Sequence, residues 1–474
     1  MFESGDDVSV TYAEDIEKLA GSLRSAAVVD SAAGHGAPSL PAEIVDRVAG
    51  LEALKAAAAA AQARLTDALD ELVRAERAAH GLRAAEQGRG VASQVALARK
   101  ESPARGGQHL GLAKALVHEM PHTLAALEQG RLSEWRATLL VRETACLSRE
   151  DRRLADAELC RDPRVLDGLG DRAVAAAAAK VAYRLDPHSV TARASRAAQD
   201  RGVSLRPAPD VMSRLSGLFP VTDGVATYAA LSKAADEARA AGDPRSRQQV
   251  MADTLVERVT GRSYAEGVDI VVGLVMTDRT AFGGDQEPVL VQDYGPVPAP
   301  WARELLAGSA AEADEPKVAH AAQVLLRRLW TDPETDELVA LESKAHAFPP
   351  ALRGFLVHRD RVCRTRWCDA PVRHADHVVR ASQGGPTSAD NGQGLCEACN
   401  YTKESAGWSA GPAPGSRLGQ HRVITTTPTG HSYVSRPPPL PAARPPLGKA
   451  MQPPDWARPS RIETEFAARI GHAA

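Results

Sequence analysis

Residues 358–404 read HRDRVCRTRWCDAPVRHADHVVRASQGGPTSADNGQGLCEACNYTKE and contain four of the six cysteines of the chain. The spacing is C-x4-C, a gap of 27 residues and C-x2-C, formed by Cys363, Cys368, Cys396 and Cys399. Two such pairs bring four thiolates onto one tetrahedral Zn²⁺ and leave no position for water, so the predicted site is structural. In a long intracellular chain this pairing favours metal ligation over disulfides. The alternative is four free thiols in a loop.

The segment around the cysteine pairs predicts a β-β-α element. Residues 371–379, PVRHADHVV, contain strand-forming valines, and residues 384–391, GGPTSADN, form a turn-rich loop. Residues 396–404, CEACNYTKE, begin a helix. A zinc ion at the hinge of this element would let a short, glycine-rich segment keep a fixed shape with little core of its own.

This block resembles the HNH nuclease motif of the ββα-metal fold. The family pattern is Asp-His, then Asn, then His or Asn beside the last cysteine, and the matching residues are Asp376, His377, Asn391 and Asn400. Asn400 replaces the last histidine of the name-giving pattern, which makes this an H-N-N variant that also occurs among active members. The resemblance implies a metal-dependent endonuclease in which Asn391 orients the loop and the backbone of His377.

The chemistry of phosphodiester hydrolysis suits these residue types. The reaction needs an activated water and neutralisation of negative charge on the phosphate and the leaving oxygen. His377 is neutral near pH 7 and can accept the proton of the water, which makes it the predicted general base. The carboxylate of Asp376 and the carbonyl of Asn400 are hard oxygen ligands that suit a catalytic Mg²⁺ or Mn²⁺.

The charge distribution points to a polyanionic partner for the carboxy-terminal part. Residues 350–474 carry a net charge of +7, whereas residues 1–349 carry −10. A basic segment of this kind favours nucleic acid, and we expect DNA. Phosphate contacts are predicted for Arg380, Lys403, Arg364 and Arg366. A solvated basic face is the alternative for the arginines between 359 and 366.

The rest of the chain reads as mostly helical. Hydrophobic residues make up 44% and aromatic residues only 4%, so the core is aliphatic and favours packed helices. We expect a long helix over residues 41–80 and a buried strand over 268–276, and the further predicted elements are hairpins over 202–220 and around 332–336 and a helix over 317–327. The predicted fold class is a mainly α amino-terminal domain with a few short strands, followed by a small carboxy-terminal ββα-metal zinc domain.

Four regions are predicted along the chain. They are a polar, disordered amino terminus (1–40), a mostly helical domain of unknown function (41–345), an HNH nuclease domain (346–410) and a Pro-rich, largely extended tail (411–474). Segments such as LEQGRLSEWRATLLV (127–141) and MADTLVERVTG (251–261) resemble the helical domain that precedes HNH motifs in the 13E12 repeat family. No apolar run of about 18 residues and no secretory signal is visible, so we expect a cytoplasmic protein without a membrane partner.

The sequence leaves three functions open. The leading hypothesis is a metal-dependent endonuclease that hydrolyses DNA phosphodiester bonds. The second is a non-catalytic, zinc-stabilised nucleic-acid-binding module, which predicts DNA binding without cleavage that depends on a divalent cation. The third is a scaffold that self-associates through the helical domain. The intact His377, Asp376 and Asn400 favour the enzyme.

Overall fold

The computed structural model describes residues 15–23, 41–261, 274–277, 280, 285–291, 294–307, 342–343, 348–413 and 421–438. Within these ranges the amino-terminal part is mostly helical, and the carboxy-terminal part consists of short strands with the helices Pro350–Asp360 and Glu397–Lys403, which confirms the predicted fold class. No helix in the described ranges has both the length and the apolar character needed to cross a membrane.

The helices follow one another closely in the first half of the chain. Residues 15–23 are helical. The helices named here are α1 Pro41–Ala79, α2 Ala84–Gln87, α3 Val91–Arg99, α4 Pro103–His118, α5 Pro121–Glu128, α6 Glu134–Glu143, α7 Arg149–Cys160, α8 Asp171–Leu185, α9 Pro187–Ala197, α10 Val221–Ala240, α11 Arg247–Thr260, α12 Ala299–Ala307, α13 Pro350–Asp360 and α14 Glu397–Lys403.

The strands in the described ranges are short and pair in five small antiparallel sheets. They are β1 Gly202–Ala208, β2 Met212–Leu218, β3 Leu274–Val275, β4 Val289–Val291, β5 Gly295–Val297, β6 Glu342–Ser343, β7 His374–His377, β8 Thr387–Ser388, β9 Gly392–Leu395, β10 Ser409–Pro412, β11 Val423–Thr426 and β12 Ser432–Ser435. Strands β1 and β2 form the hairpin predicted over 202–220. Of the predicted strand over 268–276, Leu274–Val275 forms β3, and the predicted elements at 317–327 and 332–336 lie outside the described residues.

Small residues let the helices of the core lie close together. Ala56 and Ala60 of α1 are buried against leucines of α4 and α5, among them the fully buried Leu116 and Leu127. Gly106 of α4 faces α3 so closely that a Cβ atom there would collide with a backbone carbonyl. The first turns of α1 lie outside this core, because Ile44, Val48 and Leu51, whose spacing places them on one face of the helix, are 46–62% exposed.

A buried carboxylate from one helix caps the start of another. Helix α5 begins after Met120, whose side chain offers no cap. Asp156 of α7 is fully buried and accepts hydrogen bonds from the backbone N–H groups of His122, at 2.7 Å, and Thr123, at 2.8 Å, and from the Thr123 hydroxyl at 2.6 Å. The carboxylate satisfies donors that every helix start leaves open and meets the positive end of the α5 dipole.

The carboxy-terminal segment departs from the predicted extended tail. Strands β10, β11 and β12 form an antiparallel sheet, with Val423 only 2% exposed. The prediction follows the high proline content of the segment and overlooks the strand-forming run Val423–Thr426. The turn at Gly430, with a φ of +82°, joins β11 to β12. Residues 439–474 lie outside the described part of the chain.

The sheet also buries a histidine against two arginines. Burial lowers the pKa of His421 to about 3, and the positive charges of Arg359 and Arg364 add to the effect. Because the unfolded chain binds the proton near pH 6.5, stability from neutral His421 is full above that pH and is lost as the pH falls toward about 3.

The helical part and the carboxy-terminal unit share a contact at α3. The Ser93 hydroxyl lies 2.9 Å from that of Thr402 in α14, and the Thr429 hydroxyl donates to the side-chain oxygen of Gln94 at 3.0 Å. The guanidinium of Arg77 donates to the Ala406 carbonyl at 3.2 Å. These contacts fix α14 against the helical part.

We predict that Asp156→Ala lowers the free energy of unfolding by about 3 kcal/mol, because buried N–H and O–H donors lose a charged acceptor. Urea unfolding followed by circular dichroism measures the change. The control is Asp167→Ala, which removes an exposed aspartate of the same helical core region and should have little effect. Equal urea midpoints for the two variants would contradict the capping role.

We also predict that His421→Asn flattens the loss of stability between pH 6.5 and pH 4.5. A titrating histidine with a lowered pKa contributes a slope of about 1.4 kcal/mol per pH unit in this window. Urea midpoints of wild type and variant at each pH measure the slopes, and the exposed His80→Gln serves as the control. Parallel curves for wild type and His421→Asn would show that His421 does not titrate there.

Candidate active site and metal centre

The four cysteines of the motif converge at the hinge of the carboxy-terminal unit. All four are buried, and their Sγ atoms lie within 4.8 Å of one another: Cys363, Cys368, Cys396 and Cys399. The loop between the first two is closed by the Cys368 N–H, which donates to the Thr365 carbonyl at 3.0 Å. Cys396 caps α14, since its Sγ accepts from the backbone N–H of Cys399 at 3.5 Å. This donor set is consistent with a structural zinc ion.

The thiols influence one another's protonation. Hydrogen bonds from Cys363, Cys368 and Cys399 lower the pKa of Cys396, whereas the same sharing raises the pKa of Cys399 and Cys368. The pKa of Cys363 is lowered as well, so two of the four sulfurs are favoured as thiolates at the expense of the other two. A bound dication supplies the positive charge that allows all four to ionise together.

A two-stranded ribbon carries the Asp-His pair. Strand β7 pairs antiparallel with β9, which places Asp376 opposite Gln393 and His377 opposite Gly392. Helix α14 follows β9 directly, so ribbon and helix together form the predicted β-β-α element. Gly392 has no space for a Cβ atom, which would lie 2.8 Å from the Phe348 ring and from the Ser388 carbonyl.

Asn391 closes the loop between the two strands. Its Oδ1 accepts from the Val379 N–H at 2.8 Å, and its Nδ2 donates to the carbonyls of Val379, at 2.9 Å, and Pro386, at 2.8 Å. Its own carbonyl accepts from the N–H of Val378, the neighbour of His377, at 2.7 Å. An amide with both ends engaged to backbone fixes the loop and the end of β7 in one geometry.

Two neighbours hold the ring of His377. Its Nε2 lies 2.9 Å from the Thr387 hydroxyl, and its ring centroid lies 4.6 Å from that of Phe348. A base whose ring is oriented by a further group is the arrangement used in general acid–base catalysis. Sequence reasoning missed Thr387 and Phe348, because a threonine in a turn and a phenylalanine beside prolines carry no local signal of this role.

Asp376 is held through one carboxylate oxygen. Its Oδ2 accepts from Lys403 Nζ at 2.9 Å and from Gln393 Nε2 at 3.2 Å. No hydrogen bond to Oδ1 occurs within the described ranges. The register of β7 and β9 is what brings Gln393 to Asp376, and a sequence argument that included this register could have found it.

Asn400 stands in α14 beside the last cysteine. Its Oδ1 is buried and has no hydrogen-bond partner among the described residues. A buried amide oxygen without a donor is costly, and a hard cation satisfies it. A carboxylate oxygen and an amide oxygen are ligand types that Mg²⁺ and Mn²⁺ prefer, so the chemistry of Asp376 and Asn400 is compatible with such an ion.

The predicted phosphate-binding residues fall into two groups. Arg366 is exposed and lies over the Trp367 ring, and Arg380 is partly exposed, with an ion pair to Glu404 at 3.0 Å. Arg364 and Lys403 lie inside, 4% and 6% exposed. Their internal partners occupy them, and we therefore leave both out of the proposed nucleic-acid interface.

Arg364 belongs to a buried ion cluster beneath the ribbon. Asp360 is fully buried, pairs with Arg359 at 2.7 Å and Arg364 at 3.1 Å, and accepts from the Gly394 N–H at 2.7 Å. Burial by itself raises the pKa of Asp360, but the two guanidinium charges outweigh it and hold that pKa below its ordinary value. The cluster ties α13 to β9.

Comparison with protein families gives two matches. The family described as a domain of unknown function, DUF222, matches residues 52–360, and the family described as HNH endonuclease matches residues 363–406. No curated protein and no solved structure matches the chain. The second match supports a nuclease-type function for the carboxy-terminal unit, with nucleic acid as the class of substrate. The DUF222 match covers well over half of the chain, so the chain belongs to the DUF222 family, with an HNH endonuclease domain after the DUF222 domain.

Proposed function

We propose that this protein is a metal-dependent endonuclease that hydrolyses DNA phosphodiester bonds, with His377 as the general base. The observation that carries the proposal is the grouping on the ribbon and α14. The imidazole of His377 is oriented by Thr387 and follows directly on Asp376. Among the described residues, Asp376 Oδ1 accepts no hydrogen bond, and neither does the buried Oδ1 of Asn400.

Each residue has a separate task in the proposed reaction. His377 accepts the proton of the attacking water, and Thr387 keeps its ring in position for the transfer. Asp376 and Asn400 hold Mg²⁺ or Mn²⁺, which when bound stabilises negative charge on the phosphate and the leaving oxygen. Asn391 keeps the loop closed and so fixes the end of the strand that presents His377.

The four cysteines hold a structural Zn²⁺ in this proposal. Because four sulfur ligands complete the coordination of zinc, the ion takes no part in the reaction. Its effect on catalysis is geometric, since it fixes the start of α14 and with it Asn400.

Arg366 and Arg380 form the proposed phosphate contacts. Both keep part of the guanidinium accessible, and a phosphate can add to the partners they have. The rival function, a zinc module that binds DNA without cutting it, is disfavoured because the oriented His377 and the two oxygen ligands serve no purpose in mere binding. Cleavage measurements separate the two functions.

We predict that purified protein nicks supercoiled plasmid DNA with Mg²⁺ or Mn²⁺ and that a chelator abolishes the activity. His377→Ala should lower the rate about 10²–10⁴-fold, the usual contribution of a general base. Thr387→Val should lower it less, because the base remains and only its orientation is lost.

The matched control is His374→Ala, on the same strand and outside the proposed site. It should cut at nearly the wild-type rate. If wild-type protein binds DNA without cutting it under all divalent cations, the binding module is the correct function. If His377→Ala cuts as fast as wild type, the general base is another residue.

We predict one tightly bound zinc ion per chain, measured by elemental analysis of the purified protein. Cys396→Ser should lose it and lower the Tm of the carboxy-terminal unit, because a small domain depends on its structural metal for folding free energy. Cys146→Ser changes a partly exposed cysteine outside the cluster and should leave the zinc content and the Tm unchanged. Zinc-free, stably folded wild-type protein would contradict the assignment.

A further inference from the structure

Lys403 lies inside the site and touches its acidic ligand. The ammonium is 2.9 Å from Asp376 Oδ2, 2.7 Å from the His377 carbonyl and 3.2 Å from Glu404 Oε1. These three acceptors match its three N–H donors, and the side chain is 7% exposed. The sequence predicts a phosphate contact for Lys403. In the structure, acceptors within the protein take up all three N–H donors of its ammonium.

The resident ammonium changes the charge that an incoming cation meets. Asp376 is the only carboxylate among the residues proposed to hold the catalytic cation, and Lys403 neutralises it. Asn400 adds an oxygen without charge. Glu404 is 48% exposed on its side chain and is shared between Lys403 and Arg380, so it contributes little net negative charge. Because the net charge of these groups is close to zero, a dication gains little electrostatic attraction from them and is repelled by the nearby ammonium.

The hydrogen bonds also divide the carboxylate between two tasks. Oδ2 is taken by Lys403 and Gln393, whereas Oδ1 is left for a cation. Lys403 therefore orients the ligand and at the same time weakens it. It cannot turn away at low cost, since the His377 carbonyl would lose its hydrogen-bond donor and the Asp376 carboxylate its ionic partner.

We propose that Lys403 is a positioning residue that makes binding of the catalytic cation depend on nucleic acid. The inference rests on the proposed function of the site. Without substrate the site lacks net negative charge and binds Mg²⁺ or Mn²⁺ weakly. A phosphodiester oxygen of the substrate supplies the missing anionic ligand, so cation and substrate bind cooperatively. By linkage, the cation raises the affinity for the substrate by the same factor.

The first test measures Mn²⁺ binding to the zinc-loaded full chain without DNA, by the electron paramagnetic resonance signal of free Mn²⁺. Lys403→Met keeps the length of the side chain and removes its charge, and it should bind Mn²⁺ about tenfold more tightly than wild type or better. Lys403→Gln, which also retains a hydrogen-bond donor, should show the same direction. Lys233→Met removes an exposed charge on α10 and should leave the affinity unchanged.

Adding Asp376→Asn to Lys403→Met should abolish the tight binding, which assigns it to this site. Circular dichroism and zinc content report whether each variant is folded. Unchanged Mn²⁺ affinity in folded Lys403→Met and Lys403→Gln would overturn the proposal, and so would tight binding that survives Asp376→Asn.

The second test keeps Lys403 in place and therefore does not depend on the folding of a Lys403 variant. In a His377→Ala background, which retains the proposed cation ligands, fluorescence anisotropy gives the Kd for a short DNA duplex with and without Mn²⁺. We expect Mn²⁺ to tighten DNA binding about tenfold. Adding the Asp376→Asn substitution to the His377→Ala background should remove this gain in affinity. Absence of any gain would overturn the coupling. Failure of the proposed function is seen separately, as wild-type protein that binds Mn²⁺ and DNA cooperatively but does not cut.

Discussion

Four buried sulfur atoms within 4.8 Å of one another determine where the rest of the site lies. They join the loop that follows α13 to the first turn of α14, a helix of seven residues that would be unstable alone. Asn400 and Lys403 lie on this short helix, one and four residues beyond Cys399. Any displacement of the sulfur cluster therefore moves Asn400, a proposed cation ligand. It also moves the Lys403 ammonium, which contacts Asp376, the other proposed ligand.

Polar clusters replace a large hydrophobic core in the carboxy-terminal unit. Among the described residues, the buried members of its main apolar cluster are Leu352, Phe355, Leu356 and Ala389. Beneath the ribbon, Asp360 binds two arginines and a backbone N–H, and Asn391 fixes the loop through three side-chain hydrogen bonds. Such networks are directional, so they specify one geometry where a few leucines would not, and breaking one member leaves a buried charge unpaired.

The sequence predicts the parts of the site that follow from local spacing. The cysteine pairs, the Asp-His dipeptide and the β-β-α order all lie in 47 residues, and the structure brings the cysteines together as their spacing requires. Contacts that depend on strand register or on distant segments escape such reasoning. Gln393 reaches Asp376 only through the β7–β9 pairing, and Phe348 reaches His377 from outside the motif. Lysine chemistry fits a phosphate and a carboxylate equally well, so the internal pairing of Lys403 required the fold.

The helical part bears on the site through the same short helix. Ser93 of α3 contacts Thr402, which stands between Asn400 and Lys403, and Arg77 of α1 binds the Ala406 carbonyl just after α14. Trp408 fills the space below Gly90, where a Cβ atom would lie 2.7 Å from the indole nitrogen. Helix α14 thus has the cysteine cluster at its start and contacts with the helical part along its last turn. Because both ends are fixed, Asn400 and Lys403 have little freedom to adjust to a cation, and the charge balance of the site is set before any substrate arrives.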